Sequence, residues 1–368
     1  MKSSCFFTPF VTGLVLVCLF GGSCFVVAAG ESAGILVENL ADTERVGYQL
    51  LLIAGSVGGQ ADRLEVSAGP DRRTWPVVGG RFKAFVMLTR GRNEIHLSAP
   101  GHRARPLIVN YEPIKSGRFV RMVYVVAADS DGRFQAPPGE PDDIESARKR
   151  LAFAGLLMQT ATAELMNDAG YGRKTFRLYR NGAGDVETVV YRSKLKMADA
   201  QKMTGLGLWQ KLYRDMGGSN GKRRNIAVMQ MTRYDPREGT AYAHTALGAG
   251  GLALFGSGGL HTWAQGLDEL VERFCDQRRV TDLGLFDDSA YRKTFWANYT
   301  TGIGVCMHEL GHTFGLDHSG DREGIMERGF DRINRLFVVS DGSRVFDNYS
   351  VRWSPESAKL LDQSSWLN

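Results

Sequence analysis

Residues 308–318 read HELGHTFGLDH, and this short segment is the most informative part of the chain. Side chains four residues apart lie on one face of an α-helix, so His308 and His312 would direct their imidazoles to one point. Glu309 would sit about 100° around the helix from His308, within reach of a water molecule at that point. The pattern predicts a metal site on a helix, with a carboxylate beside the ligands.

Gly315 suggests how a third histidine joins the first two. If the helix continued, His318 would point to a different side from His312. Glycine readily adopts the left-handed conformation that ends a helix, so we expect the chain to turn at Gly315 and bring His318 back. Three neutral imidazoles bind Zn²⁺ and leave a fourth position for water. The predicted site is one catalytic Zn²⁺ ion held by His308, His312 and His318, with Glu309 as general base.

Chance is a poor explanation of this pattern. It fixes three histidines, a glutamate and a glycine, and the whole chain has only 7 histidines in 368 residues. With such usage the pattern arises by coincidence in about one chain in 10⁵.

Met326 follows His318 by eight residues, at the end of a glycine-containing loop. Alone it would be an ordinary core methionine. At this distance from the histidines it resembles the Met-turn of the metzincin zinc peptidases, with the spacing of the matrixin branch. The resemblance implies that Met326 packs beneath the zinc site.

Three further segments resemble a family of zinc metallopeptidases: RFKAFV at 81–86, residues 250–259, and GIMERGF at 324–330. The resemblance covers most of the chain beyond its first 30 residues. It implies a metzincin-like catalytic domain behind an N-terminal β-domain, and it implies no particular substrate. Two features depart from relatives within the clan: no propeptide cysteine precedes the catalytic region, and Arg328 stands where an astacin-type tyrosine ligand would be.

A strand of the metzincin catalytic domain forms the upper rim of the cleft and pairs with an extended substrate. The resemblance implies that such an edge strand is formed here by Leu252, Ala253, Leu254 and Phe255. A simple internal strand is the alternative for this glycine-flanked segment.

The first residues have the pattern of an export signal. Lys2 is followed by an apolar run over 6–27 and then by small residues, which predicts a signal peptide over 1–29 and a secreted or extracytoplasmic protein. An uncleaved membrane anchor is the alternative, because the run is long enough to span a bilayer. Cys275 and Cys306 would remain in the mature chain, where a disulfide and two free thiols are both open.

The rest of the chain divides into two regions. Residues 34–120 show strand alternation and turn signals, and no long helical period, which predicts a small β-sandwich. Residues 122–368 mix buried strands with helical periods and carry the histidine pattern. The predicted fold class is therefore α+β, with a β-sandwich-like accessory domain before a metzincin-like catalytic domain that has a mixed twisted sheet, an active-site helix and a Met-turn.

These observations predict a secreted zinc metalloendopeptidase that acts on protein or peptide substrates. The formal charge of +5, without a dense Lys/Arg block, gives no indication of nucleic-acid binding. One alternative is a non-catalytic zinc-containing binding or adhesion protein, against which Glu309 argues. The other is a zinc hydrolase of a non-peptide bond. The sequence names no ligand for the β-domain, and a propeptide is the rival role for that region.

Overall fold

A computed structural model describes residues 34–346 and 351–368, so the predicted signal peptide at 1–29 lies outside the described residues. The strands are β1 (Ile35–Val37), β2 (Glu44–Val46), β3 (Leu50–Val57), β4 (Arg63–Ala68), β5 (Asp71–Val78), β6 (Arg81–Met87), β7 (Gly91–Ala99), β8 (His102–Arg103), β9 (Leu107–Tyr111), β10 (Phe119–Val126), β11 (Thr188–Arg192), β12 (Arg223–Met229), β13 (Arg233–Asp235), β14 (Thr240–Tyr242), β15 (Ala246–Ala249) and β16 (Leu252–Gly256). The helices are α1 (Ile144–Asp168), α2 (Met197–Gln201), α3 (Gly205–Asp215), α4 (Leu270–Phe274), α5 (Phe295–Thr313), α6 (Asn334–Phe337) and α7 (Pro355–Gln363). Within the two described ranges, none of these helices has the length and apolar character needed to cross a membrane.

Strands β1 to β9 form one nine-stranded sheet in the order β1-β3-β6-β5-β4-β7-β9-β2, with β8 paired to β7. Side chains alternate along it as the sequence pattern requires: Asn93, Ile95 and Leu97 of β7 are buried, and the residues between them are exposed. Gly79 and Gly80 both have positive φ and make the tight turn between β5 and β6. This sheet lies within the region that the sequence predicts to be β-rich.

The second sheet has the order β11-β10-β12-β16-β15. Its first four strands are parallel, and β15 runs antiparallel to β16. Strand β10 is buried on both faces, as is usual for a parallel strand covered by helices: Met122 and Tyr124 belong to the core that includes α1, whereas Val123 and Val125 pack with α3. The chain is therefore a mixed α/β protein, as predicted at that level.

The predicted edge strand is wrong in its position. Leu252, Ala253, Leu254 and Phe255 lie in β16, an internal strand that pairs with β12 on one side and β15 on the other. The edge is β15, which is joined to β16 by a hairpin in which Gly250 has a φ of +54°. Strand β15 reads ALGA and lacks the β-branched and aromatic residues that mark strands in a sequence.

The two sheets share one hydrophobic core, whose buried residues come from both regions of the chain. The ring of Phe85 in β6 lies 6.1 Å from that of Phe337 in α6. Polar contacts cross the same boundary. Tyr48 donates a hydrogen bond of 2.7 Å to Glu164 of α1, and Thr160 of α1 donates one of 2.5 Å to the carbonyl oxygen of Leu50. The N-terminal sheet is therefore packed against the helix that supports β10.

Candidate metal centre and cleft

Helix α5 carries the first two predicted ligands and the predicted base. It is almost entirely buried between the second sheet and the turn at 328–332. Two of its contacts depend on glycine. A Cβ at Gly304 would lie 2.1 Å from the carbonyl oxygen of Phe330, and a Cβ at Gly248 of β15 would lie 2.1 Å from the carbonyl oxygen of Glu309. The backbone of α5 is thus in direct contact with that of β15 and with that of Phe330.

Gly315 ends the helix as predicted, with a φ of +92°. The amide of Leu316 donates to the carbonyl of Gly311 and the amide of Gly315 to that of His312, both at 3.1 Å. These two bonds form a Schellman motif, the usual left-handed helix end. No atom lies within 4 Å of a Cβ at Gly315, so φ alone, and not lack of space, favours glycine here.

The turn brings His318 to the other two histidines. The Nε2 atom of His308 lies 3.2 Å from that of His312 and 3.3 Å from that of His318. Two nitrogen ligands of a tetrahedral zinc ion are about 3.3 Å apart when each Zn–N bond is about 2.05 Å. The three imidazoles therefore fit a zinc ion, and they form the one cluster of three or more candidate metal ligands among the described residues.

Two backbone carbonyl groups favour the tautomer of His308 and His312 in which Nε2 can bind a metal. Nδ1 of His308 lies 2.8 Å from the carbonyl oxygen of Ile325, and Nδ1 of His312 lies 2.8 Å from that of Leu316. A proton on each Nδ1 leaves the Nε2 lone pair free for a metal. Burial lowers the pKa of His308 to about 4, which keeps its ring neutral.

Glu309 lies next to the ligands without joining them. Its side chain is buried, with 8% exposure, and is absent from the group of convergent ligand atoms. Burial raises the pKa of its carboxyl group to about 7, while the backbone amide of Gly248 acts in the opposite direction. A carboxyl group poised near neutrality can both accept and release a proton.

Met326 is buried and packs against α5. Its Sδ atom would lie 2.4 Å from a Cβ placed at Gly311, which stands between the two helical histidines. Its neighbour Ile325 supplies the carbonyl that orients His308. Met326 thus lies close to the helix turn that carries the two histidines, and its assignment as a Met-turn stays a prediction. The roles of Gly248, Gly304 and Gly311 were not foreseen, because nothing in the sequence distinguishes them among 44 glycines.

Two cavities line up beside α5. The first, which we call the near cavity, has a volume of about 340 Å³ and lies against Thr301, Val305 and Phe330. The ring of Phe330 contacts that of His308 at 5.2 Å. The second, the far cavity, has a volume of about 410 Å³, lies against Trp296 near the start of α5, and shares Ala290 with the first. The two cavities thus lie along the N-terminal half of α5, and the three histidines line neither of them.

Cys275 and Cys306 are free thiols, the first partly and the second fully buried. Burial raises the pKa of Cys275 to about 11 and that of Cys306 further. The sequence left a disulfide and two free thiols open, and the structure has two free thiols.

The chain is also similar to known proteins in sequence. Residues 34–361 match the model of a family described as "Putative peptidase family". A protein of Schizosaccharomyces pombe described as a "Putative zinc metalloproteinase" is 30% identical over 361 residues, covering 90% of this chain and 58% of the relative. One of Saccharomyces cerevisiae with the same description is 28% identical over 367 residues, covering 89% and 51%. The chain therefore spans little more than half the length of these curated relatives.

A solved structure is also similar. The crystal structure of wild-type OgpA from Akkermansia muciniphila has 19% sequence identity and a TM-score of 0.42, and the match covers 69% of this chain and 62% of that one.

Proposed function

Because the chain belongs to this peptidase family, whose relatives are described as zinc metalloproteinases, we propose that it is an endopeptidase that cleaves polypeptides at the zinc site of α5. Zinc is its metal, and His308, His312 and His318 are the residues that would hold it. One observation carries the proposal: Glu309 is buried beside the three converging Nε2 atoms and is not one of the ligands. A purely structural zinc site has no need of such a carboxylate.

The residues have separate tasks in this proposal. Bound zinc supplies a Lewis acid that polarises the scissile carbonyl and makes a neighbouring water more acidic. Glu309 accepts a proton from the attacking water and passes it to the departing amine. The carbonyls of Ile325 and Leu316 keep the imidazoles of His308 and His312 oriented throughout.

We place the substrate along β15. This strand is the last of its sheet, so its outer backbone groups have no strand partner among the described residues. An extended peptide can add to such an edge by main-chain hydrogen bonds. Gly248, in the middle of β15, lies against Glu309, so a peptide on this edge passes close to the base.

A peptide library made from a digested proteome tests the proposal. The purified chain from residue 30 onwards is incubated with the library alone, with a chelator, and with the chelator followed by zinc. We expect new peptide termini that disappear with the chelator and return with zinc. Full zinc occupancy without chelator-sensitive cleavage would show that the site hydrolyses another kind of bond or none.

Export is a second part of the proposal, and it rests on Lys2 and the apolar run at 6–27. N-terminal sequencing of the protein recovered outside the cytoplasm should find a mature terminus near Gly30. An intact Met1 in the membrane fraction would favour the anchor.

A further inference from the structure

The C-terminal end of α5 needs hydrogen-bond donors for its last carbonyl groups, because these groups have no partner within a helix. The Schellman turn supplies two donors: the amide of Leu316 binds the carbonyl of Gly311, and that of Gly315 binds the carbonyl of His312. Neither bond reaches the carbonyl of Thr313, the last residue of the helix. Thr313 is buried, with 3% exposure, and buried carbonyl groups are nearly always hydrogen-bonded. Its donor must therefore come from another part of the protein.

Arg224, near the start of β12, supplies this donor. Its Nε atom donates to the carbonyl oxygen of Thr313 at 2.8 Å. Its Nη1 atom donates to the carbonyl oxygens of Asn220 and Arg223 at 2.9 and 3.2 Å. A positive charge is also favourable at this place, because the C-terminal end of a helix dipole is negative. The guanidinium group thus joins the end of α5 to the start of a strand of the second sheet.

The ring of Trp366 contacts both this guanidinium group and the end of the helix. The guanidinium carbon of Arg224 lies 4.1 Å from the centre of the ring, a cation–π contact. The same ring stacks on that of Phe314, with the ring centres 5.9 Å apart and an angle of 28° between the planes. Phe314 is the residue between Thr313 and Gly315. Arg224, Trp366 and Phe314 together form what we call the helix-end clamp.

The turn that begins at the helix-end clamp positions two of the three histidines. The carbonyl of Leu316 lies 2.8 Å from Nδ1 of His312, and His318 follows two residues later with its Nε2 atom 3.3 Å from that of His308. Gly315 and His318 are exposed, so the surrounding protein holds this part of the chain at few points. The orientation of His312 and the place of His318 therefore depend on where the helix ends.

We propose that Arg224 is a positioning residue of the zinc site. Through the carbonyl of Thr313 and the helix-end clamp, it holds the turn that orients His312 and delivers His318. The inference rests on the three histidines being the zinc ligands, as the proposed function does. Residues that hydrogen-bond a ligand directly raise metal affinity about 10- to 100-fold. Arg224 acts one step further from the metal, so its effect on zinc affinity should be smaller than that.

Two substitutions of Arg224 separate the hydrogen bond from the packing. Arg224→Met keeps an unbranched apolar chain against Trp366 but has no donor, whereas Arg224→Lys keeps a positively charged donor. Competition with a chromophoric chelator gives the zinc affinity of the purified chain from residue 30 onwards. We expect Arg224→Met to bind zinc about five- to tenfold more weakly than the parent, and Arg224→Lys to stay within about twofold of it.

Arg118 provides the matched control. Its guanidinium carbon also lies over the ring of Trp366, at 5.7 Å from the centre, but it donates to the carbonyl oxygens of Gly221 and Ser365, which lie outside α5. Burial and the nearby Arg118 both lower the pKa of Arg224, so the two substitutions remove one or the other of two neighbouring positive charges. Arg118→Met should bind zinc like the parent.

The visible spectrum of the Co²⁺-loaded protein separates positioning from general stability, because its bands report the number and arrangement of the metal ligands. We expect altered bands in Arg224→Met and parent-like bands in Arg224→Lys. Glu140→Gln is the stability control: it removes a buried partner of Arg273 and Arg278, so it should lower the melting temperature and leave the cobalt bands unchanged. If Arg224→Met does not fold, Arg224→Leu takes its place under the same expectation.

Three results would overturn the proposal: unchanged zinc affinity in Arg224→Met, an equal loss in Arg118→Met, or a lysine variant as weak as the methionine variant. The second would assign the effect to the charge around Trp366, and the third would show that a donor to Thr313 is not what matters. The readouts are metal affinity and the cobalt spectrum, so they do not depend on cleavage. A parent chain that binds zinc as expected but cuts no peptide would contradict the peptidase and leave the role of Arg224 standing.

Discussion

Gly248 and Glu309 are in backbone contact: a Cβ at Gly248 would lie 2.1 Å from the carbonyl oxygen of Glu309. The contact sets the distance between the edge strand β15 and the helix that carries the zinc ligands. It also places the Gly248 amide next to the Glu309 carboxylate. The strand on which we propose that substrate binds and the proposed general base are thereby fixed relative to each other.

The first prediction concerns this contact. Gly248→Ala should destabilise the protein by about 1–3 kcal/mol, because the methyl group meets backbone that cannot rotate away. It should also lower kcat/KM, because β15 must move from α5. Urea unfolding and a peptidase assay measure the two effects. Gly221→Ala is the matched control: it has open space around its Cβ and should change stability by less than about 1 kcal/mol. Equal behaviour of the two variants would refute the role given to the contact.

Glu309→Gln should keep zinc and lose hydrolysis. The amide preserves the shape of the side chain but cannot accept the proton, and losing a general base costs about 10²–10⁴ in rate. Metal analysis by atomic absorption, beside a turnover assay, checks both halves. His318→Ala is the contrasting variant and should lose zinc together with activity. Loss of zinc from Glu309→Gln, or unchanged turnover, contradicts the assigned role.

Substitutions of Gly315 separate backbone conformation from ligand chemistry. Gly315→Val should weaken zinc binding about 5- to 30-fold, because a left-handed conformation costs a side chain about 1–2 kcal/mol and a β-branched one resists it most. Gly315→Asn should stay close to the wild type, since asparagine tolerates this conformation. Competition with a chromophoric chelator gives the affinities. If valine and asparagine weaken zinc binding equally, the turn is not what delivers His318.

The position of Glu140 predicts how acid affects stability. This buried carboxylate pairs with Arg273 and Arg278 at 2.8 and 2.9 Å. Burial alone would raise its pKa, but the hydrogen bonds from the two arginines outweigh burial and lower it from 4.5 to about 2. A folded-state pKa below the unfolded one gives stabilisation that is complete above about pH 4.5 and is lost as the pH falls towards 2.

Glu140→Gln should therefore cost about 1–3 kcal/mol near pH 6 and progressively less below pH 4.5, because it removes an ion pair from the fully buried Arg150 and one each from Arg273 and Arg278. Urea unfolding at several pH values measures the difference. Glu112→Gln, at an exposed carboxylate beside Arg90, should cost at most about 1 kcal/mol. A cost for Glu140→Gln that does not fall with pH would exclude this explanation.

The last prediction concerns the contacts between the N-terminal sheet region and α1. A chain of residues 117–368 retains β10 but loses Tyr48 and Leu50, the partners of Glu164 and Thr160 on α1. We expect it to lack a cooperative unfolding transition and to aggregate, whereas residues 34–368 should fold. Circular dichroism and size-exclusion chromatography compare the two chains. A soluble and more active 117–368 chain would instead support the propeptide role.

The metal ligands were predictable because their geometry is local. His308 and His312 share one helix face, and a single glycine turn returns His318, so spacing alone carries the information. The strand alternation predicted for residues 34–120 is local in the same sense, and β7 shows it, with Ile95 and Leu97 buried between exposed neighbours.

The edge strand and the close contacts were not predictable, because they depend on distant residues. Gly248 meets a helix residue that follows it by 61 positions, and Gly311 is constrained by Met326 beyond the helix. The far cavity was not predicted for a related reason: the arginines that line it are scattered over residues 292–344 and come together only in the fold. The domain boundary near residue 120 and the signal peptide stay predictions.

The shared core also has a consequence for the order in which the chain can fold. A chain is synthesised from its N-terminus, and contacts between distant residues form late and slowly. Phe176 forms a β-bridge with Leu367, and the amide of Asn368 bonds the carbonyl of Thr175 at 3.0 Å. The segment between β10 and β11 is therefore completed only by residues that follow the histidines. A chain that stops at His318 lacks these contacts, so the packing of this segment is completed after the histidines have been synthesised.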